Sequence, residues 1–447
     1  MIKEVFKLKL LSFKGGTHPH DNKEHTANKP IENLTPSKIM VYPMSQHIGA
    51  PCEPIVKKGD RVLMGQKIGE SQAFVSVPVH STVSGTVISI EPMLHPNGTK
   101  VMSVVIENDF KDEMVDTIKS YDDCDKLSKE EKLEIIKEAG IVGHGGATFP
   151  AHIKLNPPAD KKIDCCIVNG AECEPYLTSD YRVMLKSSDL VISGLAEIMK
   201  ILNVNKAYIG IENNKPEAIE VMKKAAKKHK GIEVCVLKTK YPQGSEKHLI
   251  KAITGREVPS GKLPADVGVV VNNIDTCTAV YNAIKFRQPV FHRVVTVAGS
   301  AVNNPGNFWV RLGTSFKDIL DAADFDEQKA RKIIMGGPMM GIAQASIDVP
   351  AIKGTSAILA FGEEELSLKE EVNCFRCGKC VENCPMGLVP VQLNAYSKID
   401  DIETCLKYDI MDCIECGVCS FNCPCGNHIT QRIKLTKKKI AASRNKK

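Results

Sequence analysis

Between Lys162 and Thr276, short apolar runs that end in polar residues alternate with longer segments whose apolar positions recur every three or four residues. KIDCCIVNGAE, KAYIGIEN, IEVCVLKT and GVVVNNIDT read as buried strands. RVMLKSSDLVISGLAEIMKIL and PEAIEVMKKAAKKH, which lie between them, read as helices. This alternation predicts a parallel sheet with ligands at the carboxyl ends of its strands. The polar clusters Asn169–Glu174 and Asn272–Asn273 fall at those ends. Upstream, SKEEKLEIIKEAG carries a capping box at Ser128 and Glu131 and a helix stop at Gly140. A glycine-rich loop follows, with Gly143, Gly145 and Gly146. It is not the dinucleotide fingerprint, because Thr148 stands at the third glycine position, and such a loop alone is as much a tight turn as a ligand cradle.

The flanking segments follow other periods. Residues 48–91 alternate as short strands, with turns expected at Gly59-Asp60 and Gly85, and look like a biotinyl/lipoyl-type β-sandwich hybrid. Its hairpin VPVHSTVSG has no lysine to acylate, so a structural or docking module is expected. Residues 292–361 open as strand, turn, strand and helix, which suggests a β-grasp unit with GGPMMGIA as its glycine loop. That unit is expected to pack between its neighbours, a bound ligand being the alternative. Residues 390–411 place Val391, Leu393 and Tyr396 at helical spacing.

The 447 residues, 43% of them hydrophobic, suffice for about three to five compact units. A net charge of +6 with scarce aromatics gives no case for nucleic acid. The dense basic run KLTKKKIAASRNKK reads as a solvated end, with anionic lipid or an acidic partner as the alternative. No run approaches 18 apolar residues, and MIKEVFKLKLLSFKGG lacks the pattern of a secretory signal, so a reducing, cytoplasmic setting is expected. THPHDNKEHT, with His18, His20 and His25, is expected to form an exposed arm that docks on a partner, a metal site being the alternative.

Cysteine is concentrated at the far end: ten of the 17 follow position 370. NCFRCGKCVENCPMG and DCIECGVCSFNCPCG repeat Cys-x-x-Cys-x-x-Cys-x-x-x-Cys-Pro. Three thiolates of a tight loop can hold one side of a 4Fe–4S cube, and in two-cluster ferredoxins the fourth Cys of each run ligates the other cluster. On that rule Cys374, Cys377, Cys380 and Cys423 hold one cluster, and Cys413, Cys416, Cys419 and Cys384 hold the second. Zinc, which favours paired two-cysteine knuckles, is the alternative. With helical spacing between the runs, a helical ferredoxin domain is expected, in which Cys405 and Cys425 are plain thiols.

GHGGATFPAHIKL, NGAECEPYLTSDYR, YPQGSEKHLI and NNIDT occur in the order found in the flavin-binding subunit of respiratory complex I. Together with FKGGTHP near the N-terminus they resemble still more closely the C subunit of the Rnf ion-translocating electron-transport complex. The resemblance covers nearly the whole chain. It implies a multidomain α/β protein: an arm at 1–30, the β-sandwich hybrid at 31–111, and an FMN/NADH-binding parallel-sheet domain at 112–290. A soluble-ligand-binding β-grasp at 291–365, the ferredoxin domain at 366–436 and the basic tail at 437–447 follow. It places FMN against Gly143, Gly145 and Lys154, with Asn169, Glu172, Tyr241, Gly244, Asn272 and Asn273 completing the pocket. Phe149 would lie near the nicotinamide nucleotide, with Glu174 and Glu246 as acidic neighbours. The sequence departs from the complex I pattern at His144 (Arg there), Ala171 (Asp) and Ser245 (Glu).

The implied function is hydride exchange between NADH and FMN, then single-electron steps through two 4Fe–4S clusters, with no catalytic acid or base. In the Rnf setting the partners would be an iron–sulfur B subunit, membrane-embedded subunits and, indirectly, ferredoxin. Ferredoxin:NAD+ electron flow would be coupled to ion translocation, and the chain would sit peripherally on the cytoplasmic face of the cell membrane. The alternatives are a cobalamin reductase of the propanediol-utilisation type and a non-catalytic iron–sulfur relay.

Overall fold

The computed structural model describes residues 10–366 and 370–444. Residues 1–9 of the expected arm, 367–369 at the start of the ferredoxin region and 445–447 of the basic run lie outside the described residues.

The central unit is a four-stranded, wholly parallel sheet in the order Ile232–Leu237, Ala207–Glu212, Cys165–Gly170, Val269–Asn273. Side chains alternate across it as a period of two requires. Cys166, Val168 and Val270 enter the core under the helices Ser179–Leu202 and Ile274–Phe286. Cys165, Ile167 and Val271 enter the opposite core with Leu249 and Ile250 of the helix Glu246–Thr254. Gly194 decides how closely the two long helices approach, because an added Cβ there would collide with the Cys277 carbonyl. The helix Lys129–Glu138 starts at the expected capping box, with both Ser128 and Glu131 hydrogen bonds formed. It gives way to the glycine loop through Gly140, at φ +69°.

The hybrid module packs the sheet Ile39–Pro43, Lys100–Asn108, Gly85–Leu94, Arg61–Val62 against Glu53–Pro54, Lys67–Glu70, Val79–His80. Met40, Tyr42, Ile68, Val104 and Ile106 fill the space between. Gly59 occupies a turn at φ +94°. Gly85 does not. It opens a ten-residue strand, and glycine is needed there because a Cβ would strike the Glu107 carbonyl of the neighbouring strand.

The β-grasp unit has the sheet order Ile31–Asn33, Gly306–Arg311, His292–Ala298, Ala357–Phe361, Lys332–Met335, Ile342–Ala343, with the helix Phe316–Ala322 on its core. Residues 31–33, expected to begin the hybrid module, thus form the edge strand of this other sheet, paired in parallel with Gly306–Arg311.

The cysteine-rich unit is helical, as expected, built from Lys379–Glu382, Pro390–Lys398, Ile402–Lys407, Val418–Phe421 and Ile429–Arg444 around Leu393, Ile410, Ile429, Ile433 and Ile440. Cys405 lies in that core. Two sequence expectations are corrected here. The basic run is not a free end through residue 444: it continues the last helix, Ile440 is buried, and Lys437 donates to the Cys413 carbonyl at 2.7 Å. Nor is the N-terminal segment an exposed arm. Lys23 and Thr26 are buried, and the Lys23 ammonium donates to the carbonyls of Glu174 (2.9 Å) and Leu177. His18, His20 and His25 do face solvent.

Candidate functional site

The carboxyl ends of the parallel strands meet the glycine loop. Gly143 N donates to Phe149 O at 2.9 Å and closes the loop. Gly145, Gly146 and Ala147 are exposed, and their N–H groups make no hydrogen bond among the described residues. Such a run of free amides is an anion-binding feature. Lys154, on the short helix Ala151–Lys154 after the loop, pairs at 2.7 Å with Glu246. Phe149 is half-buried on the loop itself.

Beneath the loop lies a buried ionic relay. His144 Nδ1 meets Asp275 at 2.9 Å, Arg293 Nε meets the same carboxylate oxygen at 2.8 Å, and Arg293 Nη2 returns to the His144 carbonyl at 3.1 Å. Burial and the neighbouring guanidinium push His144 down to about 4, so the ring is neutral and donates Nδ1–H to Asp275. Burial alone would raise the Asp275 carboxyl, but His144 and Arg293 hold it well below the usual range. His144 Nε2 is buried without a partner.

Asn273 caps the helix Ile274–Phe286, accepting from Asp275 N at 2.8 Å, and donates to Asp180 at 2.6 Å. Asp180 is pushed up to about 7 by burial and by Glu172 and Asp275. Asn272 is buried with its Nδ2 unpaired, as are both amide atoms of Gln243. Asn169 Nδ2 donates to Gly244 O at 2.7 Å. Glu172 receives Asp180 N (2.7 Å), Tyr181 N (3.2 Å) and the Ser179 hydroxyl (3.3 Å) at the start of the helix Ser179–Leu202. Lys215 donates to the Ala171 carbonyl at 2.7 Å, so two buried ammoniums, Lys23 and Lys215, hold the loop between strand and helix.

The structure therefore brings Gly143, Gly145, Asn272 and Asn273 together at the strand ends, with Phe149 and the Lys154–Glu246 pair on and after the loop and Asn169–Gly244 at the adjoining strand. Glu174 and Tyr241 face elsewhere. Glu174 accepts from the N–H groups of Met339 and Met340 at 3.0 Å in the β-grasp glycine loop, and burial pushes it up to about 7. The Tyr241 hydroxyl donates to the Cys416 carbonyl at 2.8 Å. His144, Asp180, Asp275, Arg293, Lys23, Lys215 and Gln243 were not singled out as site residues by sequence. Their partners lie in distant segments, and only the buried polar position of NNIDT carried a local signal.

The two cysteine runs share one backbone. Arg376 and Glu415 adopt left-handed φ of +59° and +57°, and each N–H points 3.4 Å to the sulfur of Cys374 or Cys413. Gly378 and Gly417, at φ +79° and +82°, start the equivalent short helices. The thiol of Cys380 feels Cys423, Cys374 and Cys377. That of Cys416 feels Cys419, Cys413 and Cys384. Cys374 and Cys377 are exposed, whereas Cys416 and Cys419 are buried. Burial pushes Cys416 up to about 12 and Cys419 to about 11, so at neutral pH these sulfurs stay protonated unless a strong Lewis acid such as iron binds them and releases the protons to solvent. Among the described residues no three His, Cys, Asp or Glu side chains converge tightly enough to hold a single metal ion.

Comparison with known proteins matches each unit. Residues 136–282 match the Nuo51 FMN-binding domain, 11–111 the RnfC barrel sandwich hybrid domain, 294–343 the SLBB domain and 373–427 the 4Fe-4S dicluster domain. The chain is 51% identical over 405 residues to the C subunit of the proton-translocating ferredoxin:NAD(+) oxidoreductase complex of Clostridium ljungdahlii, covering 90% of this chain and 88% of that one. It is 47% identical over 435 residues to the Na(+)-translocating counterpart of Acetobacterium woodii, covering 97% and 98%. It is 38% identical over 416 residues to the C subunit of the ion-translocating oxidoreductase complex of Vibrio cholerae, covering 92% of this chain and 53% of the longer relative. A crystal structure of an NAD+-reducing [NiFe]-hydrogenase in the H2-reduced state shares the fold at TM-score 0.50 and 17% identity, covering 73% of this chain and 67% of that one.

Proposed function

Because the chain belongs to the family of C subunits of the Rnf-type ion-translocating ferredoxin:NAD(+) oxidoreductase complexes, we propose that it exchanges electrons between NAD(H), FMN and two 4Fe–4S clusters on the cytoplasmic face of the membrane, passing them to an iron–sulfur B subunit. It is an oxidoreductase component with an FMN-binding domain and a 4Fe–4S dicluster domain. No helix among the described residues is long and apolar enough to cross a membrane, and the ion path is assigned to the membrane-embedded subunits. The relatives' names do not favour a cobalamin reductase.

The residues at the strand ends fit FMN. Free amides at Gly145–Ala147 and the Lys154 ammonium suit a phosphate, and the unpaired Nδ2 of buried Asn272 suits a ligand acceptor. When bound, the flavin converts between the hydride pair of a nicotinamide and the single electrons of iron–sulfur clusters. The chain's own groups orient and tune. Asn273 and Glu172, both engaged at helix starts, fix the strand-end loops. Phe149 offers a face for the nucleotide base. Glu246, in sharing Lys154, limits the positive charge offered to the phosphate. Tyr241 shapes the boundary with the cysteine unit and Glu174 the boundary with the β-grasp loop, and N–H groups of Arg376 and Glu415 would stabilise charge on the ligand sulfurs. We keep the domain limits of the sequence reading as a proposal, with 31–33 assigned to the β-grasp unit and 437–444 to the ferredoxin unit.

One observation carries this reading. The buried cysteine set is seated on the strand-end loops through Tyr241 and Cys416, and those loops also carry Asn169, Glu172 and Gly244. Anaerobic purification followed by NADH titration tests it. Bound FMN, about eight irons per chain and bleaching of flavin and cluster absorbance are expected. Protein that binds no FMN, or holds zinc, overturns it.

A further inference from the structure

FKGGTHP is used by neither the strand-end site nor the cysteine ligands, yet it lies between them. The Lys240 ammonium sits 4.5 Å from the centre of the Phe13 ring and donates to the Phe13 carbonyl at 3.0 Å. The same ring packs on His248, with centroids 4.6 Å apart. Thr17 exchanges both backbone hydrogen bonds with Tyr241, at 2.8 and 2.9 Å. Gly16 N donates to the Asn383 carbonyl at 2.8 Å. At Gly15, φ +78°, an added Cβ would lie 2.8 Å from the Cys384 carbonyl oxygen. His248 acts on the next peptide: its Nε2–H donates to the Pro385 carbonyl at 3.0 Å, while Nδ1 accepts from Ser245 Oγ at 3.0 Å. Burial lowers its pKa, and a neutral imidazole has one donor and one acceptor, both of which are used. Asn383, Cys384 and Pro385 are thus gripped by the N-terminal segment and by the helix Glu246–Thr254. Cys384 is the sulfur that one cysteine run contributes to the buried set of the other.

We propose that the strap Phe13–Thr17 and His248 are positioning residues that hold the Cys384 segment against the α/β unit, fixing the gap that electrons cross between the strand-end site and the buried cluster. The proposal rests on the functional reading above. Each NADH oxidised delivers two electrons as a hydride and leaves NAD+. The two electrons then cross singly, each reducing one cluster by one electron, and the proton carried by the hydride is released to solvent as the flavin site returns to its oxidised state. Tunnelling falls exponentially with the gap, whereas hydride exchange does not depend on it. A loosened strap therefore slows one step and spares the other.

The test uses anaerobic holoprotein mixed rapidly with NADH, with flavin and cluster absorbance followed separately in wild type, Gly15→Ala, His248→Ala and His248→Gln. Amide hydrogen exchange at Gly16 and Tyr241 is measured on the same proteins before NADH is added. In Gly15→Ala and His248→Ala, cluster bleaching is expected to slow on the order of ten-fold with flavin reduction unchanged and faster exchange at both amides. His248→Gln, whose amide can still donate to Pro385, is expected within about two-fold of wild type. Wild-type cluster bleaching in the first two variants, equal slowing of both phases, unaltered exchange, or no rescue by Gln would each overturn the proposal. If Gly15→Ala fails to fold, the two His248 variants decide alone. A wild type in which NADH bleaches neither band overturns the functional reading instead.

Discussion

Asn272 and His144 carry opposite kinds of instability. The unpaired Asn272 Nδ2 costs free energy in the empty fold and gains it back only when a ligand accepts. Asn272→Ala is therefore expected to leave thermal stability of the apoprotein unchanged or slightly higher while weakening FMN binding about ten-fold, as read by flavin fluorescence titration. His144 resists protonation. Its folded pKa of about 4 lies below the ordinary 6.5, so below pH 6.5 the unfolded chain binds a proton that the folded chain refuses. Stability from this group is full above pH 6.5 and is lost as pH falls towards 4, at about 1.4 kcal/mol per pH unit. His80 and His152, lowered to about 3 and about 4, act in the same direction. Apoprotein thermal midpoints at pH 7 and pH 5 should differ, and His144→Gln should narrow the difference by one proton's share. Sequence reading noticed His144 only as a departure from the complex I pattern. Its partner Arg293 starts the next unit, so no local pattern could announce the ion pair that holds it.

Among the elements, the apolar pattern was a reliable guide in the α/β unit, where the strands are buried on both faces and the helices on one. All four strands of the parallel sheet and the capped helix before the glycine loop lie where the apolar pattern put them. Close backbone approach was not legible, because it leaves only a glycine in the sequence. Gly85 was read as a turn and proved to be a strand residue beside the Glu107 carbonyl. Gly194 is the stronger case, since the two long helices touch through it. Gly194→Ala, favourable by helix propensity alone, is expected to destabilise the α/β unit by about 1–3 kcal/mol, seen as a lower denaturant midpoint. An unchanged or higher midpoint would mean that the helices separate without cost.

At the scale of the molecule, the order of units was readable from motifs, but their mutual packing was not. The strap, the Glu174 link to Met339 and Met340 and the seating of Tyr241 on Cys416 join residues more than a hundred positions apart. Packing also makes the two cysteine sets unequal, one reaching solvent through Cys374 and Cys377 and the other enclosed. A chelator or controlled oxygen exposure should therefore remove iron in two phases of equal size. Substitution of Cys377 by Ser should abolish the fast phase alone, as followed by iron release and paramagnetic resonance. A single phase would contradict the difference in enclosure. The edge strand Ile31–Asn33 has a consequence for assembly on the ribosome. It emerges before the hybrid and α/β units yet has nowhere to pair until Gly306–Arg311 has been made. The β-grasp sheet can reach its full width only late in synthesis, and a fragment excised at 291–365 would lack its outermost strand.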